Sequence, residues 1–314
     1  MRTDIDKRSE ILFLYDAKDC DPNGDPFTGE PRFDEDTQKI MVSDVRIKRY
    51  IRDFIDKYES DENNNEVSEK SKIIFYSSLG DTETVGGRRK SLKEFVKKDD
   101  TDDILKKCID IRLFGCVLAE SGANVDLTGT VQFKNMNRSL NHVELKPLQN
   151  TSVMKSKEKN TQGAMATTTQ VPYALISVIG YINPKTAEYN MTKRSDISLM
   201  LKAMWNQVNL INTRSKAGQT SRFLLKVNYI DQFSKISDLE SSISLNDEDE
   251  NSYRNFKEIE SNLDFSDLKK LLSNNKEIIE SIDYKIDESY SYENLNKLIN
   301  DLKKFDIEVN KLSF

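Results

Sequence analysis

The stretch "EILFLYDAKDCDPNGDPFTGE", residues Glu10 to Glu30, joins an apolar segment to a connection rich in turn-forming residues. Its first part, Ile11 to Tyr15, consists of aliphatic and aromatic side chains, a composition that predicts a buried β-strand. Its second part contains two prolines, two glycines and an asparagine, which favour turns. The stretch therefore predicts a strand followed by a tight connection, and the remaining elements are placed relative to this strand.

The connection also matches the calcium-loop pattern D-x-[DN]-x-[DN]-G-x5-E. The matching residues are Asp19, Asp21, Asn23, Gly24 and Glu30. A calcium loop of this type lies between two helices, whereas a strand is predicted before this one. Pro22 and Pro26 remove two backbone donors, and Phe27 occupies the ninth position of the loop. We therefore interpret the stretch as a turn-rich connection and expect neither a metal site nor a cofactor.

The segment "SDVRIKRYIRDFIDKY", Ser43 to Tyr58, predicts an amphipathic helix. Ser43 is a favoured N-cap residue, and Asp44 suits the positive first turn of a helix. Apolar residues recur at helical spacing and predict a buried stripe; they are Ile47, Ile51, Phe54, Ile55 and Tyr58.

Further segments extend this pattern along the chain. Strands or buried segments are predicted at 72–78, 127–133, 171–183 and 222–230. Helices are predicted at 88–98, at 101–119, where the helix runs into an apolar segment, and at 195–211, with Ser195 as its cap. The order of these elements is compatible with a β-α-β-β-α-β sheet of the ferredoxin-like or RNA-recognition type, in the α+β class. The polar stretch from Lys134 to Gln170, between two strands, is expected to project as a long hairpin or arm.

Charge is distributed unevenly over the 314 residues, whose net charge is −6. Residues 232–314 contain 11 Lys or Arg and 19 Asp or Glu, whereas residues 127–230 contain 14 Lys or Arg and only 4 Asp or Glu. A basic centre beside an acidic C-terminal region indicates a polyanionic partner at the centre. We expect the C-terminal region to be mostly helical.

The three cysteines, at spacings that form no metal or disulfide framework, indicate a reducing compartment. No apolar run reaches the roughly 18 residues expected of a membrane span. The first residues, "MRTDIDKRSE", lack the apolar centre of a signal peptide. We therefore expect a cytoplasmic protein without a membrane partner.

Six motifs in order resemble the Cas-seven family, the repeated backbone subunits of type I CRISPR Cascade, and the nearest branch is type I-B (Csh-type). The motifs, between about Leu12 and Tyr229, are "LFLYDAKDCDPNGDP", "VSDVRIKRYIRDF", "RLFGCVLAESG", "LTGTVQF", "VPYALISVIGYI" and "TRSKAGQTSRFLLKV". The resemblance implies a hand-shaped subunit with an RNA-recognition-type palm over residues 1–231. It also implies an inserted web at about 60–125 and a β-hairpin thumb at about 135–170.

The resemblance further implies a non-catalytic subunit that polymerises along the CRISPR guide RNA (crRNA). Many copies would form a filament with the other Cascade subunits, and each thumb would kink the guide so that the bases between kinks pair with target DNA. The expected partners are therefore the crRNA guide, target DNA through the guide, further copies of the chain and the other Cascade subunits.

Three segments carry candidate RNA-binding residues. On the predicted helix, donors for phosphate oxygens are Ser43, Arg46, Lys48, Arg49 and Arg52. On and beside the arm, the candidates are Arg138, Lys155, Lys157 and Met165. Around Gly218, next to the strand predicted at 222–230, the candidates are Arg214, Lys216 and Arg222. Each segment also has a plainer interpretation: a solvated basic helix face, a disordered polar loop, and an ordinary helix-to-strand turn, respectively.

Two other functions share parts of this pattern. A metal-dependent ribonuclease of a related effector would use a loop aspartate, for which Asp19, Asp21 and Asp25 are available. A discrete RNA-binding regulator would carry the same basic face. The type I motifs and the long arm favour the non-catalytic scaffold, and no catalytic residue is assigned.

Overall fold

The computed structural model describes residues 3–62, 64, 69–77, 101–120, 123–151, 165–246 and 253–314. Within them a large sheet lies at the centre and helices pack on both of its faces, which confirms the predicted α+β class. No helix in this part of the chain has the length and apolar character needed to cross a membrane.

The described strands, numbered in chain order, are β1 (Ser9–Cys20), β2 (Phe33–Asp34), β3 (Lys39–Ser43), β4 (Gly115–Glu120), β5 (Ala123–Thr128), β6 (Val131–Phe133), β7 (Met136–Ser139), β8 (Lys146–Thr151), β9 (Met165–Ile182), β10 (Gln219–Tyr229), β11 (Ser244–Leu245), β12 (Leu263–Asp264), β13 (Ile279–Ile286) and β14 (Glu308–Lys311). The described α-helices are α1 (Asp44–Phe54), α2 (Thr101–Lys107), α3 (Ile109–Phe114), α4 (Pro184–Asn190), α5 (Arg194–Leu210), α6 (Phe256–Glu260), α7 (Ser266–Asn274) and α8 (Glu293–Leu302).

The strand predicted at Ile11 is the long strand β1 near the middle of the sheet. The sheet order is β14-β13-β10-β1-β9-β7-β3-β2, and β6 and β8 also pair with β9. The pairs β10–β1, β1–β9, β9–β6 and β9–β7 are antiparallel. The chain runs from β1 through α1 to β6 and β7, and then from β9 through α5 to β10. If β6 and β7 are counted as one strand, this is the β-α-β-β-α-β order expected from the sequence.

Successive side chains of β1 point to opposite faces of the sheet, as they do in any strand. Phe13 and Tyr15 face the core that contains α1 and α5, where Trp205 packs against Phe13. Leu12 and Leu14 face a second core on the other side. Both faces of the central strand are therefore buried, which explains the continuous apolar run in its sequence.

The second face of the sheet is covered by the C-terminal region, from Ile236 to Leu302. This region is less helical than predicted. Its strand β13 pairs with β10, and β14 pairs in parallel with β13, so the C-terminal region extends the central sheet. The helical expectation came from the acidic, polar composition of the region as a whole, whereas the apolar and charged residues interleaved along β13 have the pattern of a half-buried strand.

Three other expectations differ in detail from the structure. The segment 101–119 forms the short helices α2 and α3 and then strand β4, because Gly115 ends α3 at a positive φ of 76°. The segment 127–133 is divided between β5 and β6. Helix α5 has Lys193 at its N-cap instead of Ser195, and the Lys193 backbone N–H donates to the Asp196 carboxylate at 3.1 Å. The helix expected at 88–98 lies outside the described residues.

Candidate nucleic-acid interface

The connection after β1 is attached to the N-terminus of α1 by Asn23. The Asn23 side-chain oxygen accepts hydrogen bonds from the Ser43 backbone N–H at 2.8 Å and from the Ser43 hydroxyl at 3.0 Å. The Ser43 hydroxyl accepts from the Arg46 backbone N–H at 3.3 Å, which confirms Ser43 as the N-cap. Ser43 thus fixes the loop and the helix relative to each other.

Two acidic side chains of this connection accept hydrogen bonds from the chain itself. Asp21 Oδ2 accepts from Lys216 Nζ at 2.9 Å, and Asp25 accepts from the Phe27 backbone N–H at 2.9 Å and from Arg32 at 3.4 Å. Strands β1 and β2 flank the connection, so it is a strand-to-strand turn and not an EF-hand. In the described parts of the chain, no group of three or more His, Cys, Asp or Glu side chains is placed to hold a metal ion.

The basic residues of α1 lie on two sides of the helix, on either side of the buried stripe. On one side, the Arg46 guanidinium lies over the Tyr50 ring, 4.2 Å from its centroid. Arg49 Nε donates to Asp53 at 2.6 Å, and the Arg49 side chain is 42% exposed. On this side Arg49 is accessible, whereas Arg46 is half-buried and its Nε atom is buried.

On the other side of α1, the cations are held by neighbouring groups. Lys48 Nζ donates to Asp44 at 2.8 Å, and Arg52 Nε donates to Asp110 at 3.0 Å. The Arg52 guanidinium also lies over the rings of Phe114 and Tyr76, at 5.1 and 5.2 Å. Both side chains are only 14% exposed. Arg52 joins α1 to the segment around Asp110, whereas Lys48 pairs with Asp44 within α1 itself.

The loop between α5 and β10 lies beside the same connection. The Asp21 backbone N–H donates to the Ser215 carbonyl at 2.8 Å, and Lys216 Nζ donates to the Asp21 carbonyl at 2.7 Å. Gly218 has a φ of 104°, and a Cβ at this position would lie 2.4 Å from the Lys18 carbonyl oxygen. This close approach requires glycine, and it leaves Arg214 exposed at the surface.

The buried side chain of Tyr50, on α1, contacts both the connection after β1 and the start of β10. Its hydroxyl donates to the Gln219 side chain at 2.7 Å and lies 3.4 Å from the Pro22 carbonyl. Burial raises the pKa of the Tyr50 phenol, so the ring stays neutral beneath the Arg46 guanidinium. The connection, the N-terminal half of α1 and the loop at 212–218 therefore form one continuous surface, which we call the α1 surface.

Arg222 does not belong to the α1 surface. Leu14 pairs with Phe223 and Tyr15 pairs with Ser221, so Arg222 is the extra residue of a β-bulge. Its guanidinium donates to Asp16 at 2.9 Å and to the Tyr292 hydroxyl at 3.1 Å, beneath the C-terminal region. Arg222 therefore links the C-terminal region to the sheet. Its closeness in sequence to Arg214 and Lys216 did not indicate this separate location.

The remaining candidates lie on or near the arm. Arg138, on β7, donates to Asp34 at 3.1 Å and remains 40% exposed. Met165 begins β9, whose first residues pair with β8 as a hairpin. Lys155 and Lys157 lie outside the described residues.

Sequence reasoning missed the groups that hold the cations. Asp110 is 1% exposed and accepts from the backbone N–H groups of Phe75 and Tyr76 as well as from Arg52. No sequence signal connects Asp110 with Arg52, 58 residues away. The pair of Lys48 with Asp44, by contrast, could have been found from its i, i+4 spacing.

Comparisons with known proteins show the family to which this chain belongs. The family described as CRISPR-associated protein Cas7 matches residues 7–264. A protein of Haloferax volcanii named CRISPR-associated protein Cas7 is 28% identical over 284 residues, which cover 80% of this chain and 79% of the relative. The chain belongs to the Cas7 family, whose members are non-catalytic backbone subunits of CRISPR surveillance complexes.

Two solved structures are similar in fold. One, a chain of a "CRISPR RNA-guided surveillance complex", has a TM-score of 0.53 and 14% identity, with 92% of each chain covered. The other, a chain of a "CRISPR RNA-guided surveillance complex, pre-nicking", has a TM-score of 0.55 and 12% identity, with 98% of this chain and 96% of that chain covered. At these identities the similarity concerns the fold.

Proposed function

We propose that this chain is a guide-RNA-binding backbone subunit of a type I CRISPR surveillance complex, nearest the type I-B branch. Several copies would line up along one crRNA, together with the other Cascade subunits, and present the guide for pairing with target DNA. The observation that carries the proposal is the α1 surface, where three separate segments of a Cas7-family chain are fixed together with accessible cations.

The α1 surface suits recognition of an RNA backbone. Arg46, Arg49 and Arg214 offer guanidinium groups, which match phosphate oxygens in geometry and charge. A guide whose sequence varies has to be held through its phosphates and its shape, since base-specific contacts would restrict the sequence. We propose these three residues, with Arg138, as phosphate contacts.

The buried candidates would support RNA binding indirectly. Lys48 and Arg52 fix the far side of α1, Lys216 fixes the connection through Asp21, and Arg222 fixes the C-terminal cover. We propose that these four residues position the binding surface and do not contact phosphate.

Because the C-terminal region covers one face of the sheet, we expect RNA to bind elsewhere than on that face. RNA-recognition modules stack bases on aromatic residues of an open sheet. Here that face is occupied by the C-terminal region, where Phe223 packs against Phe265. RNA is therefore expected along the α1 surface and the arm.

The β8–β9 hairpin supports the assignment of the thumb. Its base is tied to the connection, because the Thr169 hydroxyl donates to Glu30 at 3.0 Å. An arm fixed at its base can reach a neighbouring copy and bend the guide at a regular interval. We propose the hairpin as the thumb, the segment of about 60–125 as the web and the central sheet with α1 and α5 as the palm.

The test begins with purification of the complex from its native host and sequencing of any bound short RNA. The double variant Arg49→Ala, Arg214→Ala should then bind unrelated guides more weakly by similar factors. The slope of log affinity against log salt should fall by about 1.4, at roughly 0.7 per lost contact with a single strand. The matched control Lys185→Ala, Lys270→Ala removes two exposed charges elsewhere and should leave the slope unchanged.

An unchanged slope in the Arg49, Arg214 variant would contradict the proposed interface. A second result would contradict the scaffold role itself: periodic magnesium-dependent cleavage of complementary RNA that is lost in Asp25→Ala while the complex still assembles. A catalytic carboxylate contributes orders of magnitude in rate, so this outcome would be unambiguous.

A further inference from the structure

An exposed aromatic side chain lies at the tip of the connection after β1, which we define as residues 25–30. Phe27 is 95% exposed, the largest fraction among the large apolar residues that the structure describes. Hydrogen bonds nevertheless hold the tip in one shape. The Phe27 backbone N–H donates to the Asp25 carboxylate at 2.9 Å, and the Asp25 backbone N–H donates to the Glu30 carbonyl at 2.7 Å. An exposed ring held in this way can serve as an anchor in an interface.

A groove of about 1020 Å³ lies on the helical side of the sheet. Its apolar lining comes from Leu105 of α2, Leu199 of α5, and the side chains of Met191 and Phe314. All of these except Leu105 are only half-buried, so apolar surface remains exposed in the groove. Burying that surface against an apolar partner is favourable.

Helix α5 separates the tip from the groove. At its start, the Arg194 backbone N–H donates to Asp4, just before β1. After its end, the Ser215 carbonyl accepts from Asp21, in the connection that carries the tip. A helix of 17 residues is about 26 Å long, and the groove borders its first half, as far as Lys202. The tip therefore does not reach the groove of its own chain, and any occupant is another molecule.

The charges of the two surfaces are complementary. The tip has two carboxylates, Asp25 and Glu30, and no cationic side chain. The groove is lined by seven Lys or Arg side chains and four Asp or Glu side chains, an excess of three positive charges. In the described part of the chain, Lys72, Lys106 and Lys193 of this lining form no ion pair, unlike the other cations that face its carboxylates. The groove thus favours an acidic partner with an apolar anchor.

We propose that Phe27 of one copy inserts into the groove of the next copy, with Asp25 and Glu30 facing Lys106 and Lys193. The contact joins two different surfaces at opposite ends of α5, so it can repeat from copy to copy in an open chain. It deepens the proposed function, on which it rests for the choice of a second copy as the partner. RNA suits these surfaces less well, because the groove has an apolar lining and the carboxylates beside Phe27 repel phosphates.

The test measures self-association of the full chain, without RNA, by sedimentation velocity. We expect wild type to associate reversibly into a series of sizes that grows with concentration. Phe27→Ser removes the anchor and should weaken this association by about tenfold or more, as expected for a buried aromatic residue at the centre of an interface. Phe233→Ser removes another exposed ring and, as the matched control, should associate as wild type does.

The double variant Lys106→Glu, Lys193→Glu tests the groove, and Lys185→Glu, Lys270→Glu is its matched control. The groove variant should also lose self-association. Mixed with Phe27→Ser, it should form a one-to-one complex and nothing larger, because each variant keeps the surface that the other has lost. Formation of this complex also shows that both variants are folded.

A wild type that stays monomeric, or two variants that do not pair when mixed, would overturn the proposal. So would a Phe27→Ser variant that self-associates normally but binds single-stranded RNA more weakly, since the ring would then stack on a base. Weaker RNA binding with normal self-association in the groove variant would assign the groove to RNA instead. RNA binding at the α1 surface is measured separately by the Arg49, Arg214 variant, so either proposal can fail while the other stands.

Discussion

Arg49 and Arg52 lie on the same helix, three residues apart, yet their surroundings give them different roles. Arg52 pairs with Asp110, a carboxylate that is 1% exposed, and Arg49 pairs with Asp53 at the surface. Removing one partner of a buried pair leaves the other charge without compensation, whereas an exposed pair contributes little.

We therefore expect Arg52→Ala to lower the free energy of unfolding by roughly 3 kcal/mol, the cost of a broken buried pair. Arg49→Ala should lower it by less than about 0.5 kcal/mol because the pair is exposed. Urea denaturation of both variants measures these values. For RNA affinity we expect the larger loss in Arg49→Ala, which should keep its fold. Equal losses of unfolding free energy in the two variants would contradict the different roles assigned to Arg49 and Arg52.

Glu10 gives a pH dependence of stability. Burial raises the pKa of its carboxyl above the ordinary value of 4.5, although Tyr229 and Arg8 oppose this shift. A group whose pKa is higher in the folded state holds its proton more tightly there. Its contribution to stability is therefore complete below the unfolded pKa and is lost as pH rises through the folded pKa.

Glu10→Gln keeps the acceptor for the Tyr229 hydroxyl and removes the buried charge. We expect the variant to match wild type in melting temperature near pH 4 and to exceed it increasingly as pH rises above the ordinary glutamate pKa. Melting curves at several pH values measure this difference. A variant that loses stability as pH rises relative to wild type would contradict the role assigned to burial.

At the scale of elements, the α1 surface depends on the turn at Gly218. Alanine there would need a left-handed φ and would place its Cβ 2.4 Å from the Lys18 carbonyl. Gly29 also has a positive φ, of 73°, but the position that a Cβ would take there has no described atom within 4 Å.

We expect Gly218→Ala to cost about 3 kcal/mol or more, since strain and a backbone clash add, and Gly29→Ala to cost about 1 kcal/mol from φ alone. Chemical denaturation compares the two variants. Gly218→Ala should also weaken RNA binding because the loop moves away from Asp21. Similar costs for both glycines would show that the close approach to Lys18 does not matter.

The assembly role that we propose for the arm can be tested separately from RNA binding. Replacing residues 152–164 by an Asn-Gly turn would keep the base of the β8–β9 hairpin, since that dipeptide favours a tight hairpin. We expect the variant to fold and to bind RNA through the α1 surface but to lose the regular nuclease-protection pattern of an ordered filament. An unchanged pattern would assign the regular spacing to another part of the chain.

The elements show how far the sequence determines the structure. Strand β1, helix α1 and its Ser43 cap were predictable because each rests on local composition and spacing. The division at Gly115 was not, because the glycine is required by a close approach to the Leu127 carbonyl oxygen, which would lie 2.0 Å from a Cβ at that position. In the site, the cationic residue types were predictable, but the separation of Arg222 from Lys216 depends on a bulge that no local pattern shows.

At the scale of the whole molecule, the C-terminal region completes the sheet. Strand β13 pairs with β10, and Leu268, Leu272 and Ile282 are fully buried in the second core. We expect the chain truncated after Asp231 to lose cooperative unfolding and to bind a hydrophobic dye, because its second sheet face becomes exposed. A cooperative thermal transition at the wild-type temperature would show instead that residues 1–231 fold independently.

The acidic composition of this region did not reveal its contact with the sheet. Charged residues alternate with apolar ones along β13, so its composition is polar. Ile279, Ile282 and Tyr284 are nevertheless buried. Its partner strand is β10, and the paired residues Lys226 and Asp283 are 57 residues apart in the chain. The alternation along β13 is the pattern of a half-buried strand, but it does not show that the partner is β10.

The position of β1 has a consequence for the order of events during synthesis. This strand is made first, but its two neighbours in the sheet, β9 and β10, end at Ile182 and Tyr229. At about 5–20 residues per second, a ribosome needs about 10–40 s to reach Tyr229 after Cys20. During that interval the apolar run from Ile11 to Tyr15 lacks at least one of its two native neighbour strands, so a nascent chain of this protein needs shielding until β10 emerges.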